Sequence, residues 1–147
     1  MSAPAEKSHH EKEPAISNDH HLIRQLIVDW ATAVRVGDLG GVLADHSKDI
    51  VMFDVPPPHE GVRGIEAYAA TWPPFFEWQK SAGSFDITEL VVTASRDVGF
   101  AWALLKCASH EQQLATPELR LRLTIGLEKR DGRWTITHEH HSFADPT

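Results

Sequence analysis

The sequence predicts an α+β fold, with helices in the first half and a curved run of long antiparallel strands closing over them. Three observations predict it. An apolar stripe recurs at three- and four-residue steps from Leu22 to Val34, the period falls to two after Gly83, and an Asp131-Gly132 pair joins the last two alternating runs. Helices and strands arranged in blocks place the helices on one face of the sheet. A bent sheet of about five to six strands, closed by three N-terminal helices, forms a cone with a pocket inside.

Residues 1–15 are polar, proline-containing and aperiodic, and are expected to form a mobile, disordered arm. The domain proper takes up 16–147. Leu22, Ile23, Leu26, Ile27, Trp30, Ala31 and Val34 make one face of a helix of several turns. Ser17, Asn18 and Asp19 offer caps at its start, and Gly37 stops it. Asp38 caps a short second helix reaching about His46, weakened by Gly40 and Gly41.

Ile50–Val55 reads as a strand that Pro56-Pro57-Pro58 must end, because proline cannot donate to a ladder. Gly61 and Gly64 bracket the end of the following loop. Ile65–Trp72 is a third helix, broken at Pro73-Pro74 and followed by a short aromatic turn with Phe75, Phe76 and Trp78. Four strand candidates then follow: Phe85–Thr93, Val98–Ser109, Glu118–Lys129 and Arg133–Phe143.

Composition narrows the function. The chain is 41% hydrophobic and carries five Trp and six Phe, enough for a core with large rings around a cavity. Its net charge is −7, of which the first fifteen residues supply −1 through Lys7 and Lys12 against Glu6, Glu11 and Glu13. The acidity therefore belongs to the fold, and nucleic acid is not an expected partner. Cys107 is the only cysteine and sits in an apolar run, which suits a small buried hydrophobe. Neither a signal peptide nor a membrane span is read, so the expected location is cytoplasmic.

The last hairpin carries the candidate site. A two-residue turn at Asp131-Gly132 sets Arg130 opposite Arg133, Leu127 opposite Ile136, Ile125 opposite His138 and Leu123 opposite His140. One face then holds Leu121, Leu123, Ile125, Leu127, Trp134, Ile136, His138, His140 and Ser142. The other holds Arg122, Thr124, Gly126, Glu128, Thr135, Thr137, Glu139 and His141, a solvated or dimer-forming surface. The first face is apolar except at its far end, where two histidines and a serine intrude. Such histidines are either core groups with satisfied ring nitrogens or proton carriers at the polar end of a ligand pocket. A slip of one residue exchanges the two faces.

Asp54 closes the strand before the proline loop; it either caps the turn or orients a histidine and serves as a base. His138, His140 and Asp54 are thus the candidate catalytic residues. Trp30, Tyr68, Trp72, Phe76, Trp102 and Ser142 are candidate pocket walls and substrate contacts. His138, His140 and Asp54 together are also a conceivable zinc shell, but no HExxH helix or Cys cluster accompanies them, and a metal-free pocket is the expectation.

Several segments carry a family resemblance: Trp30…Gly37-Asp38, Asp49-Ile50-Val51…Phe53-Asp54, Gly61…Gly64, Asp97…Ala101 and the closing run from Arg122 through Asp131-Gly132 to Ser142. Over Ile16 to Phe143 these resemble the SnoaL-like branch of the nuclear transport factor 2-like superfamily, and within it the ketosteroid isomerase homologues. The resemblance implies a cone-shaped, cystatin-like roll, commonly a homodimer, with a ligand cavity between sheet and helices. The superfamily includes isomerases, cyclases, dehydratases, hydrolases and pockets without enzymatic activity, so function must be argued from the site.

Three readings follow. The first is a cofactor-independent enzyme that moves a proton beside the carbonyl of a small hydrophobic substrate. The second is a binding module that uses the same pocket without turnover. The third is a dimerising protein that uses the polar sheet face. No Gly-rich phosphate loop follows a strand, so no nucleotide cofactor is expected.

Overall fold

The computed structural model describes the backbone of residues 3–145 and the side chains from residue 18 onward. Helix α1 (Ala3–Val36) starts within the segment read as a mobile arm, whose side chains lie outside the described residues. From Ile23 onward its stripe is buried as the period requires: Ile23, Ile27, Trp30, Ala31 and Val34 lie in the core. Gly37 ends it at φ +77°, where its N–H donates to the Val34 carbonyl at 3.1 Å and the Asp38 N–H donates to Ala33 at 2.9 Å. This is the two-bond helix stop that a left-handed glycine permits. Asp38 then caps α2 (Leu39–Leu43) by accepting from the Gly41 N–H at 3.1 Å.

Strand β1 (His46–Phe53) ends at the proline run, and β2 (Val62–Arg63) returns antiparallel beside it. Helices α3 (Ile65–Ala70) and α4 (Trp72–Ser81) follow. Pro73-Pro74 was read as a breaker leading into a turn. Instead, the prolines occupy the first turn of α4, where their missing N–H groups would have no helical partner anyway. The remaining elements are β3 (Asp86–Ala94), β4 (Val98–Lys106), α5 (His110–Ala115), β5 (Leu121–Arg130) and β6 (Arg133–Ser142). Helix α5 was not expected; Ser109 and Gln112 form a reciprocal capping box that starts it.

The six strands run in the order β2-β1-β6-β5-β4-β3. Neighbours are antiparallel except β1 and β6, which are parallel. None of the described helices is long and apolar enough to cross a membrane.

The β5–β6 hairpin corrects the sequence reading. Its turn is as expected: Asp131 and Gly132 both take positive φ, 52° and 77°, the conformation that matches strand twist. Pairing follows the predicted register from Arg130↔Arg133 to Leu127↔Ile136, and then shifts so that Gly126 faces His138. Thr137 is the extra residue of a β-bulge. Beyond it every side chain changes face: Glu139 and His141 turn inward, and His138, His140 and Ser142 turn outward. Gly126 lies opposite the bulge, and a Cβ there would only touch the His138 Cβ, at 3.4 Å.

Candidate functional site

A cavity of about 650 Å³ opens between the sheet and the helices, within the range of small-molecule sites. Trp72, Phe75 and Trp78 of α4, with Phe85, Leu121 and Phe143, form its apolar wall. Val55 and Pro56 flank it on the proline-loop side, and Gln112 and Leu119 on the α5 side.

Few polar groups reach this wall. The Thr71 hydroxyl donates to the Tyr68 carbonyl at 2.7 Å, and the Gln112 side chain is held in the α5 cap. The Cys107 thiol is pushed up to about 12, by burial first and then by the Asp54 charge, so it stays protonated and is a poor nucleophile. Asp54 and His141 are left as the ionisable pole of an otherwise apolar chamber.

His141 is held from behind. Its Nε2 lies 2.9 Å from Oε1 of Glu139, two residues earlier on the same face of β6. Glu139 is fully buried, next to Met52 of β1 and Ile125 of β5. A carboxylate is tolerated there only when well paired. The Tyr68 hydroxyl donates to its Oε2 at 2.7 Å, and His46 Nε2 meets the same oxygen at 2.7 Å. Trp30 Nε1–H donates to the Tyr68 oxygen at 3.1 Å, and His46 Nδ1 donates to the Ala44 carbonyl at 2.9 Å.

The electrostatics follow from these contacts. Burial raises the Glu139 pKa, but hydrogen bonds from His141 and His46 outweigh it and hold the value at about 2. For His141, burial favours the neutral ring; the Glu139 hydrogen bond and charge, with Asp54 adding to them, move the pKa upward on balance. Burial, and then the Glu139 charge, keep the Tyr68 hydroxyl protonated well above its ordinary range.

Of the residues expected at the site, Asp54 and Trp72 line the cavity. Trp30 and Tyr68 are buried behind the wall, as the last links of the Glu139 network. Phe76 stacks on Trp72 at 6.3 Å without lining the cavity. Trp102 lies on the outer face of the sheet, 38% exposed. Ser142 also faces outward and accepts from Arg122 Nε at 3.2 Å.

His138 and His140 were placed on the inner face and are on the outer one. His138 Nδ1 donates to the Val51 carbonyl at 2.6 Å. His140 lines a separate outer depression of about 370 Å³ with Phe53, Asp54, Pro57 and His59. Glu139 and His141, assigned by the hairpin pattern to a solvated or dimer-forming face, are buried, and His46, taken as the end of the second helix, is the first residue of β1. The signal for the first two was Gly126, a strand-interior glycine of the kind that marks a bulge. Among the described residues, no group of three or more His, Cys, Asp or Glu is arranged to hold a metal ion.

The sequence profile of SnoaL-like domains matches residues 23–146. The chain belongs to the SnoaL-like domain family. A nuclear transport factor 2-like protein of unknown function from Pseudomonas putida is 31% identical, with a TM-score of 0.75 over 86% of this chain and 87% of that one. A nuclear transport factor 2-like protein with a cystatin-like fold from Novosphingobium aromaticivorans superposes with a TM-score of 0.76 at 14% identity, covering 95% and 91% of the two chains. A ketosteroid isomerase-like protein from Erwinia carotovora gives 0.62 at 20% identity over 87% and 98%. The last two likenesses concern the fold alone. No curated protein matches the sequence. In this SnoaL-like domain the cavity lies between sheet and helices, with the α4 rings on one side and His141 of β6 on the other.

Proposed function

We propose that this SnoaL-like domain is a cofactor-independent enzyme that transfers protons beside the carbonyl of a small, neutral, largely apolar substrate, as an isomerase, cyclase or dehydratase. The observation that carries this reading is the pairing of two ionisable groups, Asp54 and His141, in an aromatic chamber. Among the described residues no Arg or Lys lines the cavity, and Asp54 adds negative charge, so a neutral carbonyl compound suits the pole better than a carboxylate.

Asp54 removes the proton next to the carbonyl, and the freed electron pair moves onto the carbonyl oxygen. His141, charged and held by Glu139, gives that oxygen its proton. Return of the proton at another carbon completes an isomerisation; expulsion of a β-hydroxyl as water completes a dehydration. Trp72, Phe75 and Trp78 exclude water and hold the apolar part of the substrate.

The test is proton exchange. A panel of neutral aromatic ketones in D₂O, followed by NMR, reports deuterium incorporation next to the carbonyl. The enzyme reading expects incorporation that Asp54→Asn lowers roughly a hundred- to ten-thousandfold. Ligand binding without any incorporation supports a binding module and overturns catalysis.

The proposal extends to assembly. Val91, Trp102, Thr124, His140 and Phe53 pair across five strands as one row on the outer face. Phe100 is half exposed in the neighbouring row. A homodimer through this face would cover these rings, and a cytoplasmic location fits the lone protonated thiol.

A further inference from the structure

His46, whose side chain is wholly buried, is a group that the proposed mechanism does not itself use. We infer that His46 is a positioning residue for His141: doubly protonated, it acts as the fixed counter-cation of Glu139 and through that carboxylate governs how readily His141 releases its proton.

Counting protons carries the argument. His46 Nδ1 faces the Ala44 carbonyl at 2.9 Å, and a carbonyl only accepts, so Nδ1 bears a hydrogen. His46 Nε2 lies 2.7 Å from Glu139 Oε2, a contact that needs a proton between the two atoms. Tyr68 has one proton and stands 2.7 Å from the same carboxylate oxygen and 3.0 Å from His46 Nε2. The Tyr68 oxygen already accepts from Trp30. If the Tyr68 proton bonds Glu139, the His46–Glu139 contact must have a second one. Glu139 also accepts from His141 at Oε1, which favours its ionised form. The extra proton therefore sits on the His46 ring. With both side chains wholly buried, the ion pair is shielded from water and salt.

The consequence reaches the cavity. His141 meets the anion Glu139 directly, the charge of Asp54, and the rings of Trp30 and Trp72. His46 meets Glu139, the Ala44 carbonyl and the stacked ring of Tyr68. A positive His46 cancels part of the Glu139 field, so His141 holds its proton less tightly than it would beside an unshielded carboxylate. That moderation suits a group that must both give up and recover a proton.

This inference rests on the reading of His141 as the acid, but its test needs no substrate, so the two fail separately. Nitrogen-15 NMR of histidine-labelled protein reads the protonation of each ring. In the wild type, both His46 nitrogens should show the protonated signature; one unprotonated His46 nitrogen overturns the inference. In His46→Gln, the titration midpoint of His141 should rise by about one pH unit, a tenfold tighter hold on the proton. A midpoint that stays or falls overturns it. If His46→Gln does not fold, the wild-type spectrum decides alone.

Discussion

His141 Nε2 and Glu139 Oε1 lie 2.9 Å apart on one face of β6, an i and i+2 pair that turns inward only because a bulge precedes it. That contact joins the wall of the cavity to a buried network reaching Tyr68, His46 and Trp30.

Removing the charge at the centre of the network should be costly. Glu139→Gln keeps the shape but leaves His46 and His141 without their anion. Breaking a buried pair in this way costs about 3–5 kcal/mol. Urea unfolding should show a matching loss of stability, whereas a change below 1 kcal/mol would mean that the carboxylate is not the keystone described.

Stability should depend on pH on both flanks. The folded-state pKa of Glu139 is depressed from 4.5 to about 2, so its contribution is present above pH 4.5 and is lost as pH falls through 2. The size of that contribution is roughly 3 kcal/mol. The His141 pKa is raised from 6.5, so its contribution is complete below pH 6.5 and is lost as pH rises through the higher folded value. Melting temperatures across pH 2–10 should therefore peak between about 4.5 and 6.5. In Glu139→Gln the acid flank should flatten.

The cavity and the outer face should be separable by mutation. Trp72 and Trp78 line the chamber, so tryptophan fluorescence should report the binding of neutral aromatic ketones. Asp54→Asn and His141→Gln should each lower deuterium exchange of a bound ketone by roughly a hundredfold or more while the protein stays folded. His140→Ala should leave both binding and exchange unchanged, because its ring faces outward. Loss of exchange in His140→Ala alone would return the chemistry to the outer face.

Assembly is tested on the outer row. Trp102→Glu places a charge among Val91, Phe100 and Phe53, all at least one-third exposed. Light scattering should give the mass of two chains for the wild type and one for the variant. A wild type of single-chain mass at micromolar concentration would remove the homodimer from the proposal.

Deleting residues 1–15 should shift the melting temperature by no more than a few degrees, because that segment has few apolar groups to offset the entropy of ordering. A fall of ten degrees or more would show that it packs on the body.

Local chemistry made much of the fold legible in the sequence. The stripe from Leu22 to Val34, the stop at Gly37 and the turn at Asp131-Gly132 each act within a few residues, and each is where the pattern put it except at Leu22, which is 47% exposed. Pairing from the hairpin turn up to Leu127 and Ile136 followed from the same turn. The inner positions of Leu121, Leu123, Ile125, Leu127, Trp134 and Ile136 held because the first four lie on β5 and the last two precede the bulge on β6.

By itself, then, the sequence determined the class of fold, the long first helix and the strands of the C-terminal half, the apolar side of the hairpin and the place of Asp54 at the end of β1, while β2, α4 and α5 went unread. Only the tertiary structure decided which polar side chains enter the chamber. One extra residue, Thr137, moves Glu139 and His141 inward and sends His138 and His140 out. That arrangement is stable only because partners arrive from far along the chain: His46 from 93 residues away and Tyr68 from 71. A buried carboxylate without donors would be too costly to keep. The alternation of a strand carries no record of donors that the rest of the fold will bring, and so the site became visible only once β1, α3 and β6 were assembled.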